Sequence, residues 1–387
     1  MKVLKNILMI ASDNNLGSGA FRSMAQLCES LNLSGEYKVI VILPKKGNGI
    51  SLLQEKSVEY KIIRSYSWTV NIADKNKIIC KVLMWIKLLL NNISIYRIKK
   101  IISLKKIDIV HINTIWSYVG AKAALSMNKK LVWHIREALE SSLNRCLFKE
   151  SFYSLINRSD KVICISDYIR QYYSGKIDTC KMDVIYNGID PDHFYIENRD
   201  IFLGDKVNIL NIGTMNSNKR QEDLIVAAKK LCDDGISDFH ISFVGKGRKE
   251  EQFKEMCKNL GLADNTTFCG IQKNIIDYYK KNDVLITSGD YGAFGRTTVE
   301  GMLAGCLVIG NSTGATSELL IDGELGYLYD PSDEFELYRK LKYILTKDKT
   351  EIREIARKGQ KYALEHYSSD TNAFEVRKVY KQLFKNN

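Results

Sequence analysis

The stretch SGDYGAFGRTTVEGMLAG, residues 288–305, decides the fold class. It follows the apolar run DVLIT and holds three glycines in a polar loop, after which helical periodicity begins at Arg296. Glycine lets backbone amides turn toward a ligand and a helix N-terminus favours negative charge, so this strand–loop–helix unit indicates an anion site. Glu300, in the predicted first turn, is either a capping carboxylate or an acceptor for two ligand hydroxyls.

Units of this kind recur along the whole chain, which is typical of parallel α/β layers. Apolar strands are predicted at 6–11, 37–43, 58–63, 107–113, 131–135, 161–166 and 183–187, and again at 207–212, 240–244, 266–269, 283–287 and 307–311. At 387 residues the chain is too long for one ordinary core. We predict two doubly wound α/β domains that face each other across a cleft at the carboxyl ends of their strands.

The predicted domains divide near the polar segment 189–206, which has the character of a linker. The N-terminal domain is predicted over residues 1–190 and the C-terminal domain over residues 191–365. After about residue 333 the strand pattern stops and only helical periodicity remains.

The composition is that of an ordinary globular chain, with 45% hydrophobic and 26% charged residues. No uninterrupted apolar run reaches the roughly 18 residues that cross a bilayer, so no transmembrane segment is predicted. The nine cysteines show no C-x-x-C spacing, so neither a zinc site nor a redox pair is predicted, and their odd number in apolar surroundings is typical of reduced, buried thiols in a cytoplasm. The net charge of +12 lies in the first half, because residues 1–190 carry +14 and residues 191–387 carry −2.

Residues 75–107 concentrate this basic character, with nine basic residues and no acidic one. The part LMWIKLLLNNISIYRIKKIISLKK, residues 83–106, is apolar and basic at once. It predicts one or two amphipathic helices that either bind an anionic membrane surface or pack as an ordinary solvated face on the N-terminal sheet. No nucleic-acid partner is predicted, because no recognition motif or alternation of aromatic and basic residues accompanies the charge.

Two further loops follow predicted strands. In SDNNLGSGAFR, Gly17 and Gly19 lie between the first strand and a helix, which is either a phosphate-facing loop or a plain turn. In NIGTMNSNKRQ, Lys219 and Arg220 precede a helix, where two cations oppose the helix dipole unless an anion lies beside them. The alternative is a solvated pair beside the following acidic residues.

Taken together, these stretches resemble the retaining glycosyltransferases of family 4, which have the two-domain GT-B fold. The resemblance spans nearly the whole chain through LGSGAFR (16–22), HINT (111–114), LVWHIRE (131–137), VIYNGID (184–190), NIGTMNSNKRQ (211–221), FVGKG (243–247) and FGRTTVEGMLAG (294–305). It implies two Rossmann-like domains, with residues 366–387 forming a helix that returns to the N-terminal domain. It also implies a nucleotide-sugar co-substrate, no other cofactor and no catalytic metal.

The resemblance assigns a role to each candidate site residue. Those implied in catalysis are His134, Lys219 and Glu300. Contacts to the donor diphosphate are implied for Gly17, Gly19, Lys219, Arg220, Gly295, Arg296, Thr297 and Thr298. Glu300 would bind the ribose, and the sugar would contact His134, Asp290, Phe294 and Gly295. The base would lie against Gly270, Ile271 and Lys273. His134 has a second interpretation as a buried core histidine, and His111 is interpreted as structural.

The chain departs from the family pattern at two positions. The family places a first Glu eight residues before the second, and here that position is Gly292. Asp290 either replaces it or nothing does. The family also often has Arg after the strand glycine of the second domain, where this chain has Thr214, so Arg220 or Arg296 would supply the cation.

The resemblance implies a cytoplasmic hexosyltransferase, bound peripherally to the inner membrane face. It would move sugar from a UDP- rather than a GDP-sugar to a lipid-linked or polysaccharide acceptor in bacterial cell-surface glycan synthesis. Two alternatives stay open: a non-catalytic donor-binding or partner subunit, suggested by Gly292, and a nucleotide-sugar 2-epimerase.

Overall fold

A computed structural model describes residues 4–385 of the chain. These residues form two compact units, one built from residues up to Gly188 together with those from Ser369 onward, and the other from Ile189–Ser368. The last helix therefore belongs to the first unit. The segment 189–206, predicted as a linker, is part of the second unit: it holds a short helix, and Phe194, Ile201 and Phe202 are buried in that unit.

The described part of the first unit is built on a seven-stranded parallel sheet in the order β3-β2-β1-β5-β6-β8-β9, with β4 and β7 paired antiparallel. The strands are β1 Lys5–Ile10, β2 Tyr37–Leu43, β3 Glu59–Ile62, β4 Thr69–Asn71, β5 Ile109–Asn113, β6 Lys130–Ile135, β7 Arg145–Leu147, β8 Lys161–Cys164 and β9 Met182–Val184. The helices are α1 Gly19–Leu33, α2 Ile50–Glu55, α3 Ile78–Leu104, α4 Val119–Ser126, α5 Leu139–Leu143, α6 Tyr153–Asn157 and α7 Asp167–Tyr173, and the last helix of the chain, α16 Ser369–Gln382.

The second unit contains a six-stranded parallel sheet in the order β12-β11-β10-β13-β14-β15. Its strands are β10 Val207–Ile212, β11 Phe239–Val244, β12 Thr266–Gly270, β13 Val284–Thr287, β14 Leu307–Asn311 and β15 Tyr327–Tyr329. Its helices are α8 Pro191–Phe194, α9 Gln221–Asp233, α10 Glu250–Asn259, α11 Ile276–Lys281, α12 Arg296–Leu303, α13 Thr316–Leu319, α14 Glu336–Thr346 and α15 Lys349–His366.

Each sheet reverses its strand order beside its first strand, β1 or β10. Strands buried on both faces are rich in Ile, Val and Leu, as in YKVIVIL of β2. Ligands bind such sheets beyond the carboxyl ends of the strands, where the order reverses. The loops that follow β1, β10 and β13 leave their sheets at that edge.

Helix α3 corrects one exclusion drawn from the sequence. This single helix of 27 residues is long and apolar enough to cross a membrane by length and composition. A search for an uninterrupted apolar run misses it because Lys81 and Lys87 interrupt the apolar sequence. Most of its surface is not buried in the protein.

Candidate active site

In the second unit, two loops at the carboxyl edge of the sheet lie backbone against backbone. A Cβ atom at Gly245 would lie 2.0 Å from the carbonyl oxygen of Gly213, and one at Gly247 would lie 2.0 Å from that of Met215. Only glycine allows this approach, which holds the loop after β10 against the loop after β11. The two glycines of the motif FVGKG therefore fix the backbone of the loop that leads to Lys219.

Lys219 follows β10 and has no acidic partner among the residues that the structure describes. Its carbonyl oxygen accepts a hydrogen bond of 2.7 Å from Ser288, and a Cβ added at Gly289 would lie 3.3 Å from its Nζ. No carboxylate among residues 4–385 lies within ion-pair distance of Nζ. The residue as a whole is exposed, but its amine lies among the neighbouring loops, and this desolvation lowers the pKa of Lys219.

The two arginines proposed as replacement cations are both neutralised by carboxylates. Arg220 Nε lies 2.8 Å from Asp223, and its NH1 lies 3.5 Å from Asp290. Arg296 NH2 lies 3.3 Å from Glu300. These pairs leave Lys219 as the uncompensated positive charge of the three predicted diphosphate cations.

Glu300 is not in the first turn of its helix, contrary to the sequence prediction. Helix α12 begins at Arg296, so Glu300 is its fifth residue and does not cap the N-terminus. The carboxylate is 5% exposed and accepts a hydrogen bond of 3.1 Å from the hydroxyl of Tyr279. With Arg296 and Tyr279 as partners, Glu300 is held in a fixed rotamer beside the glycine loop.

The remaining residues of this loop divide into buried and open positions. Thr298 is fully buried and its hydroxyl lies 3.3 Å from that of Thr287, and Phe294 packs edge-on against Tyr367. Both side chains are therefore held in the protein interior. Gly295, at φ +86°, forms the N-cap of α12 without a side-chain cap, so the helix N-terminus lacks a protein carboxylate.

Asp290 is occupied within the protein. Its carboxylate accepts a hydrogen bond of 2.9 Å from Asn311 and faces Arg220. Two residues further, Gly292 is open, because a Cβ added there would meet no atom within 4 Å. The position of the family's first Glu is thus sterically free, and the side chain of Asp290 is held by Asn311 and Arg220.

The predicted base-binding residues lie at the end of β12. The carbonyl oxygen of Gly270 accepts a hydrogen bond of 2.8 Å from the amide of Gly245, while Ile271 and Lys273 are exposed. The structure therefore places backbone, rather than buried side chains, at this point of the edge.

In the first unit, the glycine loop after β1 is held by side chains of neighbouring loops. Asn48 accepts a hydrogen bond of 2.9 Å from the amide of Leu16, and Asn15 accepts one of 3.0 Å from the amide of Gly17. Gly19 begins α1, whose first turn contains no acidic residue, and Ser18 is its N-cap. The amide of Gly17 is therefore already satisfied, and Ser18, which donates to Asp13, accepts from the amide of Phe21, so this loop offers an anion only the remaining first-turn amides of α1.

His134 is fully buried at the end of β6 and is paired with His111 on β5. Its Nδ1 lies 3.2 Å from His111 Nε2, and the Nδ1 of His111 lies 2.6 Å from the hydroxyl of Tyr380 on α16. Burial lowers the pKa of His111 to about 3, and burial beside Arg136 holds the pKa of His134 well below its usual value. Both rings are neutral at physiological pH.

Arg136 and Glu137 are site residues that the sequence reasoning missed. Arg136 is 5% exposed, and its guanidinium donates to the side-chain oxygens of Asn113, at 2.6 Å, and of Asn187. Glu137 accepts hydrogen bonds from the amides of Ile115 and Arg136, and burial raises its pKa to about 7. The signal was present: the charges of HIRE follow an apolar strand directly, where buried charge is costly without a role.

Family models match both units of the chain. "Glycosyl transferases group 1" matches residues 196–363, and "Glycosyltransferase Family 4" matches residues 17–193. The chain belongs to the glycosyltransferases that these two models together describe. Its fold is the GT-B fold, as the resemblance in the sequence implied.

Relatives and solved structures agree with this assignment. The chain is 28% identical to an uncharacterized glycosyltransferase of Methanocaldococcus jannaschii, with 75% of this chain and 80% of that protein covered. It is 25% identical to the Campylobacter jejuni enzyme named as an N-acetylgalactosaminyltransferase acting on a diphospho-undecaprenol saccharide, over 60% and 65% of the two chains. In structure it is similar to Anabaena HepE in complex with UDP, at a TM-score of 0.80, 19% identity and coverage of 98% and 100%.

Proposed function

We propose that this glycosyltransferase moves a hexose, with retention of configuration and without a metal, from a UDP-sugar to a lipid-linked or polysaccharide acceptor. It would act on the cytoplasmic face of a bacterial membrane, in the synthesis of a cell-surface glycan. The observation that carries the donor half of the proposal is the uncompensated amine of Lys219 beside the glycine loop 289–295.

The chemistry of the donor requires what this edge supplies. As the bond between sugar and diphosphate breaks, negative charge grows on the phosphate oxygens. Lys219 is a positive charge already in place, desolvated and without a competing carboxylate, and the open N-terminus of α12 adds amide donors. Such preorganised groups stabilise the charge of the leaving group directly, so the proposal needs no metal.

The proposal assigns the ribose to Glu300 and the reacting sugar to His134. Glu300 retains lone pairs beyond those used by Tyr279 and Arg296, so it can accept from ligand hydroxyls. Retention would follow if the acceptor hydroxyl attacks on the face of the leaving diphosphate, whose oxygen takes the proton. UDP is favoured over GDP because the similar HepE structure holds UDP.

The acceptor half of the proposal is supported by helix α3, which exposes many apolar residues although its buried face includes polar ones beside Met84, Ile98, Ile101 and Ile102. Its buried face contains polar residues: Asn91 exchanges hydrogen bonds of 2.8 Å with the backbone of Tyr66, and Ser94 donates one of 2.5 Å to the carbonyl of Arg64. An ordinary surface helix buries its apolar face and exposes its polar one. This helix therefore presents to the outside a face suited to an apolar environment.

The outward face of α3 is a continuous apolar stripe. The positions recur at spacings of three and four, which puts them on one side of the helix. Their exposed fractions run from 47% to 75%. They are Ile79, Val82, Ile86, Leu89 and Ile93.

Charge favours an anionic lipid surface over a second copy of the chain as the partner of this stripe. Arg97 and Lys100 follow the stripe at the same spacing, Lys81 and Lys87 lie at other positions of the helix, and residues 75–107 contain no acidic residue. Two such faces packed together would bring cations against cations. A bilayer with anionic headgroups would gain about 1 kcal/mol per basic residue near its surface. Because the helix packs one face on its own unit, we propose that it lies in the membrane interface rather than across the bilayer.

The donor proposal is tested by thermal shift of the full chain against UDP, GDP and their sugars, without added metal. A ligand at 100 times its dissociation constant stabilises by about 2.7 kcal/mol, which is readily measured. We expect stabilisation by UDP or a UDP-sugar, and turnover when membrane glycolipid acceptors are added. Stabilisation by none of the nucleotides would overturn the donor assignment.

The membrane proposal is tested by sedimentation with vesicles of phosphatidylglycerol and phosphatidylcholine. We expect binding that falls as the phosphatidylglycerol fraction is lowered or salt is raised, and that is lost in the Ile86→Asp, Leu89→Asp double variant. The matched control is Leu203→Asp, since Leu203 is 75% exposed in the other unit. Equal binding by the double variant and by the control would contradict this role of α3.

The alternative of a donor-binding subunit without activity rests on Gly292. It predicts the same nucleotide stabilisation but no hydrolysis or transfer of the sugar with any acceptor. We favour an enzyme, because Lys219 has no carboxylate partner among the described residues and Glu300 keeps lone pairs for ligand hydroxyls.

A further inference from the structure

The contacts of the buried pair His111 and His134 in the first unit determine which ring nitrogen of each histidine carries its proton. The chain of contacts runs from Tyr380 on α16 through His111 on β5 to His134 on β6, with distances of 2.6 Å and 3.2 Å. A neutral imidazole carries one N–H donor and one acceptor nitrogen, so each contact limits the tautomers on both sides. One further contact removes the remaining ambiguity.

That contact comes from Arg136, whose NH2 group lies 3.2 Å from His134 Nδ1. A guanidinium is only a donor, so His134 Nδ1 must be the acceptor and the proton of His134 must lie on Nε2. His111 Nε2 faces the same acceptor nitrogen and must therefore donate to it. His111 Nδ1 is then the acceptor, and the hydroxyl of Tyr380 donates to it.

This assignment leaves one group of the network unused. His134 Nε2 is buried and has no hydrogen-bond partner among the described residues. An unpaired buried N–H is costly, which is why such groups are rare in proteins unless a ligand uses them. His134 Nδ1 thus accepts from both Arg136 and His111, and the Nε2–H of His134, the residue predicted to face the sugar, is left as a donor without a partner among the described residues.

We propose that His111 and Tyr380 are positioning residues that hold His134 as its Nε2–H tautomer, so that His134 donates a hydrogen bond to an oxygen of the bound sugar. The proposal rests on the proposed function for the identity of the ligand, but the tautomer itself does not. It gives His111 a role beyond packing, and it connects the last helix of the chain to the site. His134 Nε2 is buried in this structure, so the proposal requires that the atoms covering this nitrogen move when the sugar binds.

The electrostatic surroundings agree with neutral rings. Burial first and the charge of Arg136 second lower the pKa of both histidines, so neither takes a second proton that would destroy the donor–acceptor order. A cationic His134 would also bring positive charge against Arg136. The Nε2–H of His134 is therefore available as a hydrogen-bond donor across the physiological pH range.

The tautomers can be measured in the free protein by proton–nitrogen NMR of the chain labelled with ¹⁵N-histidine, since a protonated ring nitrogen is distinguished from an unprotonated one. There are five histidines, and His111→Gln and His134→Gln variants assign the two of interest. We expect both rings to be protonated at Nε2 only, unchanged between pH 6 and 8. A protonated Nδ1 on His134, or a cationic ring, would overturn the proposal.

The role of Tyr380 is tested by Tyr380→Phe, with Tyr37→Phe as the matched control. The ring of Tyr37 packs edge-on against that of Tyr380 at 5.5 Å, but its hydroxyl takes no part in the network. We expect the His111 signals to change in Tyr380→Phe only, because its Nδ1 loses its donor. The same spectrum in both variants would show that the hydroxyl does not position His111.

Whether His134 donates a hydrogen bond to the sugar is tested by kinetics with the UDP-sugar that gives the thermal shift. His134→Gln keeps a side-chain N–H and His134→Leu does not, so we expect kcat/KM of the Leu variant to be about tenfold below that of the Gln variant. Equal losses would refute the donor role. If no nucleotide sugar binds at all, the proposed function fails, whereas the NMR result still decides the tautomer.

Discussion

Replacement of Lys219 by Met separates a functional cation from a structural one. The change removes the charge and keeps most of the side-chain length. In the ligand-free protein the amine has no carboxylate to lose, and desolvation lowers its pKa, so the charged form is disfavoured by folding. We therefore expect Lys219→Met to keep or slightly raise the melting temperature at pH 7.

Ligand binding should respond in the opposite direction. A unit charge about 4 Å from a phosphate oxygen is worth about 4 kcal/mol at an effective dielectric constant of about 20. Removal of one preorganised oxyanion donor from an enzyme costs about 2.7–4 kcal/mol. We expect UDP affinity, and kcat/KM once the donor is known, to fall by about 10²–10³.

The assay is titration calorimetry of UDP into wild type, Lys219→Met and the control Lys258→Met, an exposed lysine on α10. Melting temperatures are recorded on the same samples. UDP affinity within threefold of wild type for Lys219→Met would refute the assignment of the diphosphate to this residue. A fall of several degrees in melting temperature would show instead that the amine stabilises the fold.

Two further predictions concern single positions. Gly292→Glu should fold with a melting temperature within about 2 °C of wild type, because a side chain there meets open space. Gly314→Ala should lose about 1–3 kcal/mol of unfolding free energy, because its φ is +65° and its Cβ would lie 2.7 Å from the backbone of Gly292. Thermal denaturation of both variants checks this, and an equal loss of stability in the two would contradict it. Burial raises the pKa of Glu137 from about 4.5 to about 7, so its contribution to folding is present below pH 4.5 and lost as the pH rises through 7. Glu137→Gln should therefore reduce the fall in unfolding free energy between pH 4.5 and 7.5 by about 3 kcal/mol in urea titrations, and an unchanged pH dependence would show that the carboxyl group is ionised throughout.

The sequence predicted the architecture because its strands are separated by regular helical segments, and parallel sheets of this kind have few alternatives. It did not predict β4 and β7, since three-residue strands carry no periodicity. It predicted a linker at residues 189–206 because the many polar residues there mask four buried aromatic or aliphatic ones. It excluded a membrane-length helix because a criterion of uninterrupted apolar residues overlooks lysines on a long helix.

In the candidate site, residue types were predictable and partnerships were not. Lys219 and Arg220 are adjacent cations in the sequence and Asp223 follows closely, yet only the fold brings Asp290 to Arg220 and leaves Lys219 without an acidic partner among the described residues. His111 looked structural because its partner Tyr380 lies 269 residues away on the last helix. Contacts of this range depend on the return of the chain to the first unit.

Gly292 shows how the two kinds of information combine. The sequence identified the missing carboxylate, and a sequence comparison alone would suggest a lost activity. The structure adds that the position is open and that the nearby Asp290 accepts a hydrogen bond from Asn311. It also shows Glu300 held by Tyr279 and Lys219 without a carboxylate partner among the described residues. A decayed site would be expected to lose its costly groups first, above all a desolvated amine with no partner. Retention of an amine without a carboxylate partner among the described residues is what the proposed donor-binding role of Lys219 requires.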